Sequence, residues 1–230
     1  RARWVAGARA FNARLYHNRL ARRLVLPVTS GGGTPGAVNR GAVANAGPLF
    51  SELEHQPVVP DVGEAVTVSV RASDPDSVAS ATLFYSVEEG AWQSVPMSSV
   101  DSETWEADIP GQSAGTQVQF YVQAMDGIGA AAVEPSAGPD SRALVRWQDG
   151  KAQLSINGVE PTNVRILMTS SDADWMHYEG HVMSNDMLGC TVVVNESDVY
   201  YGAGVRIKGS ARGRTVPDRV GYSLAFPADE

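Results

Sequence analysis

The chain has 230 residues, of which 43% are hydrophobic and 19% charged, with a formal net charge of −8. This is the profile of ordinary globular protein, long enough for one large domain or two small ones. No window approaches the roughly 20 apolar residues of a membrane-spanning helix. No start shows the basic, apolar and small-residue order of a secretory leader.

The charge is unevenly spread. Residues 1–50 hold eight arginines and no acid, a balance of +8, whereas residues 51–230 hold ten basic against 26 acidic side chains, a balance of −16. An acidic body repels phosphate backbones, so no nucleic-acid partner is expected. No membrane partner is expected either. The single cysteine, Cys190, excludes an internal disulfide. Lying between Leu188-Gly189 and the run Thr191-Val192-Val193-Val194, it reads as a buried, inert thiol.

In chain order, residues 1–27 read as a basic amphipathic helix. Trp4, Ala8, Phe11 and Leu15 recur at helical spacing, and Leu20 and Leu24 continue the stripe until Pro27. The opposite face carries Arg9, Arg14, Arg19, Arg22 and Arg23. Such a face suits an anionic membrane or partner, or simply solvates the remnant of an upstream region. The chain opens on Arg1 without a methionine, which reads as an excised piece. Residues 28–55, with Gly31-Gly32-Gly33, Pro35, Gly41, Gly47 and Pro48, read as a linker.

Residues 56–147 show short strands at turn-separated intervals, the pattern of an all-β sandwich. Val66, Val68 and Val70 alternate with polar residues, and Leu83, Tyr85 and Val87 share one face of the next strand. Trp105, Phe120 and Val122 complete the expected interior. The stretch resembles the immunoglobulin-like or fibronectin-III-like modules of secreted bacterial proteins, which implies an architecture and no particular chemistry.

Residues 148–230 change character. Asn163 to Met168 reads as a strand, Thr169 to Asp172 offers helix caps, and a short helix follows to His177. A hairpin is expected around Glu196-Ser197-Asp198. Then comes Gly204-Val205-Arg206-Ile207-Lys208-Gly209-Ser210-Ala211-Arg212-Gly213-Arg214, followed by Val220-Gly221-Tyr222-Ser223-Leu224-Ala225-Phe226. This resembles the front of the CotH-like family, atypical kinases named for a bacterial spore-coat protein. The family shows a similar basic strand and loop, then a lysine-containing strand ending in a tyrosine and an alternating apolar run. Here Asp218-Arg219-Val220-Gly221 precedes Tyr222, with Arg219 nearest the expected basic position.

Five residues are the main site candidates: Arg206, Lys208, Gly209, Ser210 and Arg212. Basic side chains beside exposed backbone N–H groups suit phosphate oxygens. A plain hairpin with solvated arginines is the competing reading. Three weaker constellations accompany them. His177, Glu179 and His181 suggest a metal or merely a polar helix end. Asp74, Asp76 and Asp126 suggest calcium or ordinary turns. Trp92 and Trp105 make a carbohydrate platform only if both face outward, and the phase of Trp105 favours the core.

The expected fold is mainly β: a fibronectin-III-like sandwich, then the β-rich front of a kinase-like α+β domain, truncated, with a short N-terminal helix. The resemblance implies a secreted or cell-surface bacterial protein whose intact form transfers phosphate from ATP to protein with Mg or Mn. No catalytic residue and no cofactor are assigned to this piece alone. The rivals are a pseudokinase and a non-enzymatic surface or adhesion protein whose sandwich binds protein or glycan.

Overall fold

The computed structural model describes residues 45–150, 162–215 and 220–226. The expected N-terminal helix and most of the expected linker lie outside the described residues. The fold is mainly β. Nine strands make the sandwich: β1 Leu49–Gln56, β2 Val66–Ser73, β3 Val78–Val87, β4 Gln93–Pro96, β5 Ser98–Ser99, β6 Thr104–Ile109, β7 Gln117–Asp126, β8 Ala131–Glu134 and β9 Leu144–Arg146. One sheet has the order β1-β2-β6-β5, and the other has the order β4-β3-β7-β8 with β9 also on β7.

The alternation predicted for β2, β3 and β7 is present, and it builds the interior. Val66, Val68, Val70, Leu83, Phe120 and Val122 are fully enclosed. Each such side chain contributes roughly 1.5–3 kcal/mol through burial. Trp105, expected inside, packs only half-buried against this core. Two features depart from expectation. First, β1 occupies residues assigned to the linker. It pairs antiparallel with β2 from Leu49↔Ser73 to Gln56↔Thr67. Second, an unforeseen short strand, β8, precedes the last strand of the sandwich, β9. β8 pairs with Val122–Met125 of β7, and β9 pairs with Gln117–Gln119. Between them lie Pro135, which has no N–H for a ladder, and a 3-10 turn at Gly138–Asp140.

A third sheet follows in simple meander order: β10 Val164–Leu167, β11 Leu188–Val194, β12 Asp198–Lys208 and β13 Gly221–Ala225, all antiparallel. Helix α1, Ser170–His177, joins β10 to β11, and a single turn, α2, Ala211–Arg214, lies between β12 and β13. The Thr169 hydroxyl accepts the Asp172 N–H at 3.2 Å and caps α1, as its sequence suggested.

One glycine decides which way β12 faces. Cys190 pairs with Ala203 and Val192 with Tyr200, so β12 carries one extra residue there. Gly202 adopts φ +68 at this bulge. Before it, Val199 and Tyr201 join the sandwich core beside Phe120. After it, Ala203 and Val205 join Tyr200, Cys190 and Val192 in a cluster on the opposite face.

The sandwich shares its core with this sheet. Val58 and Leu144 pack on Leu167 and Val193. The Thr191 hydroxyl donates to the Arg142 carbonyl and accepts the Leu144 N–H at 3.0 Å. Gln117 Nε2 donates to the Met168 carbonyl at 2.7 Å, and Arg142 Nε donates to Asp172 at 2.5 Å. No described helix is long and apolar enough to cross a membrane.

Candidate functional site

The sequence candidates gather at the far end of the β12–β13 pair. Val205 and Ile207 are buried and anchor the strand, while Arg206 is half-buried and Lys208 exposed on the other face. Across the ladder, Arg206 faces Ser223 and Lys208 faces Gly221. Gly209 follows at φ +124, with nothing within 4 Å of where a Cβ would stand. Few residues other than glycine tolerate that backbone. The segment is therefore no plain hairpin turn. It bends at Gly209, and Ser210 accepts the N–H groups of Gly213 and Arg214 at 2.9 and 3.1 Å. Arg212 lies within α2.

The residue that holds this connection was not among the candidates. Arg214 is only 7% exposed. Its Nε donates to the Gly209 carbonyl at 3.0 Å. Its Nη1 donates to the Val182 and Ser184 carbonyls at 3.2 and 3.0 Å, and Nη2 reaches Asn185 Oδ1 at 3.3 Å. Arg206 Nη1 donates to the same Asn185 oxygen at 2.7 Å. Asn185 thus ties both arginines to the segment before β11. In the sequence, Arg214 looked like its neighbours Arg206 and Arg212. Only burial separates a clip from a contact residue.

Helix α1 is fixed from the sandwich side. The carboxylate of Glu89, on the β3–β4 turn, accepts the N–H of Ser170 at 2.5 Å, the N–H of Ser171 at 3.2 Å and the Ser171 hydroxyl at 2.5 Å. Chiefly the Ser171 hydroxyl holds the Glu89 pKa below the usual carboxylate value.

The proposed metal constellations do not assemble. α1 ends at His177, and Tyr178 is extended, so His177 and His181 do not share a helix face. His177 Nε2 meets the Tyr222 hydroxyl at 3.3 Å, whereas the His181 ring stacks on Trp175 at 4.2 Å. Asp126 Oδ1 accepts the N–H groups of Ile128, Gly129 and Ala130 at 3.0, 2.6 and 2.8 Å, and Oδ2 accepts from Asn45 at 2.5 Å. Asp74 accepts the Asp76 N–H at 2.8 Å, so both acids organise turns. Among the described residues no three His, Cys, Asp or Glu side chains gather as a metal site. Cys190 is buried, and burial pushes its thiol up to about 12. Trp92 adjoins β4 of one sheet and Trp105 lies on β6 of the other, packed against the core, so the two tryptophans do not share a platform.

No family model matches the chain, and no curated protein matches it. Among solved structures it is similar to the Br derivative of BhCBM56, at 15% identity and TM-score 0.27 over 33% of this chain and 77% of that one. It is also similar to the cycloalternan-forming enzyme of Listeria monocytogenes in complex with a pentasaccharide, at 11% identity and TM-score 0.33 over 68% of this chain and 12% of the enzyme. A third is an uncharacterized protein of Listeria monocytogenes EGD-e in complex with glucose, magnesium and calcium. It shows 10% identity and TM-score 0.33, with 77% of this chain and 14% of that chain covered. Likeness at this level carries no inference about function.

Proposed function

We propose that residues 148–230 are the leading part of a CotH-like phosphotransferase domain, and that the β12–β13 connection contacts nucleotide phosphates. One observation carries the reading. Lys208 and Gly209 stand exposed on a connection that a buried cation, Arg214, pins from behind. Anion binding gains most from donors fixed in advance, because ordering them on binding subtracts from affinity. Lys208 supplies a compact charge, and Gly209 lets backbone approach a phosphate closely. Arg206, oriented by Asn185, adds a second cation on the same face.

The family resemblance implies ATP with Mg or Mn, and a secreted or surface location in a bacterium. When bound, the metal would neutralise charge on the transferred phosphoryl group. No metal-holding set is present among the described residues, so no step through a metal is assigned to them. The share of this chain in the chemistry is to bind and orient phosphate.

Calorimetry of ATP binding to the full gene product tests the reading, with Arg206→Ala, Lys208→Ala and Arg212→Ala set against Arg71→Ala. Arg71 is a fair control because it pairs with Glu103 and Glu52 on the outer face of the other sheet. A charge-assisted contact contributes about 1.5–3 kcal/mol, so a true contact residue should lose about ten-fold or more in affinity. Four variants that bind like the parent would make the loop structural.

A further inference from the structure

We propose that the outer face of the β4-β3-β7-β8 sheet binds a neutral glycan, with Trp92, Phe84 and Tyr121 as its stacking surface. The inference is independent of the phosphate loop. Phe84 and Tyr121 stand directly opposite each other on β3 and β7. Their rings are parallel, 4° apart in plane, with centroids at 4.9 Å. Trp92, one residue before β4, meets Tyr121 at 5.0 Å and 69°. The three rings therefore form a corner of two stacked planes and one steep one. Trp92 is 37% exposed, and Phe84 and Tyr121 are half-buried.

A cross-strand aromatic pair by itself stabilises a sheet. That role needs Phe84 and Tyr121 only. Trp92 lies outside the ladder, packs on Tyr121 with about a third of its surface open to water, and extends the pair into a contiguous apolar patch, the kind that marks binding sites.

The surroundings select the partner. Thr82 lies two residues from Phe84, Gln123 two from Tyr121, and Ser94 two from Trp92. Thr82 faces Gln123, and Ser94 faces Phe84 across the ladder. None of these three side chains is hydrogen-bonded among the described residues. Every ring thus has a free neutral hydroxyl or amide beside it. The outward positions of β3, β4 and β7 carry no charge, and Arg146 of β9, opposite Gln117 on this face, has Asp149 beside it at 3.8 Å. The outer face of the other sheet instead displays Arg71, Glu106 and Asp108. A charged partner finds no counter-ion on β3, β4 or β7 beside the rings. A pyranose ring offers an apolar C–H face to an aromatic plane and hydroxyls at its rim, so it satisfies both kinds of group. Aromatic surface with a few placed neutral polar groups is what such recognition requires.

The experiment titrates the whole chain with cellohexaose, laminarihexaose, xylohexaose and maltohexaose, followed by tryptophan fluorescence and calorimetry. At least one should bind at millimolar concentration or below. Trp92→Ala should then weaken it by about ten-fold, as expected for a lost stacking contact. Gln123→Ala, on the outward face of β7 opposite Thr82, should weaken it by a few-fold, and Arg71→Ala should not change it. The proposal is overturned if none of the four sugars binds, or if binding survives both Trp92→Ala and Gln123→Ala. Should Trp92→Ala fail to fold, Gln123→Ala decides.

Discussion

The Tyr201 hydroxyl donates a hydrogen bond to Nδ1 of His55, joining the last strand before the candidate loop to the first strand of the sandwich. The other ring nitrogen, Nε2, lies 3.1 Å from the Val58 carbonyl. A carbonyl accepts only, so Nε2 carries a proton, and in the neutral ring Nδ1 is the acceptor for the Tyr201 hydroxyl. His55 is buried, and Phe120 stands edge-on to it at 5.9 Å. Among the described residues its partners Tyr201, Val58 and Phe120 carry no charge, so none of them compensates a positive ring.

This geometry makes stability pH-dependent. Burial lowers the His55 pKa from 6.5 to about 4. Between those values the unfolded chain binds the proton that the folded one refuses, so stability falls as pH falls. The contribution is complete above pH 6.5 and is lost progressively down to about pH 4. A shift of this size corresponds to roughly 3 kcal/mol. Urea unfolding at a series of pH values should show the loss, and a His55→Gln variant should show a flatter dependence over the same window. Equal slopes for parent and variant would dismiss His55 as the cause.

Tyr201→Phe isolates the hydrogen bond from the ring. It keeps the edge contact with Phe120 at 5.7 Å but leaves Nδ1 buried without a donor. An orphaned buried acceptor costs about 1–3 kcal/mol. Because Tyr201 belongs to the sandwich core, that loss should appear in one cooperative transition read by both Trp147 and the C-terminal sheet. Two separated transitions in the parent would mean that the sheet and sandwich fold independently.

The legible part of this fold was the strand alternation. Val66, Val68 and Val70, and Phe120 with Val122, announced a two-sided sandwich because each faces one way along an unbroken strand. β1 was illegible for a physical reason. Its register shifts between Ser51 and Glu54, and Glu52 takes φ +51, so its alternation is broken where it follows Gly47-Pro48. The phase change at Gly202 was equally hidden. Val199, Tyr201, Ala203, Val205 and Ile207 read as one uninterrupted face, yet the bulge sends the first two to the sandwich and turns Ala203 and Val205 away from it. The docking of His55 on Tyr201 spans 146 positions and leaves no local trace. At the candidate site, the basic strand and glycine bend were visible, whereas the clip was not. Carbonyl partners for Arg214 come from Val182 and Ser184, which carry no sequence signal.

That clip gives a prediction separate from any ligand. Among the described residues Arg214 has no carboxylate as a hydrogen-bond partner. Its planar fork spans three carbonyls and one amide oxygen instead. A lysine at this place keeps the charge but has one nitrogen, and it cannot reach acceptors on both sides of the connection. Arg214→Lys should therefore lose nearly as much stability as Arg214→Ala, about 2–3 kcal/mol, since hydrogen bonds to charged groups are among the stronger ones. The local reading is sharper than the global one. Amide exchange at Gly209 to Thr215 should accelerate in both variants, while amides of β2 and β7, deep in the sandwich, should change only as far as overall stability does. Full retention of protection in Arg214→Lys would show that charge alone holds the connection. Retention in both variants would show that Arg214 does not hold it.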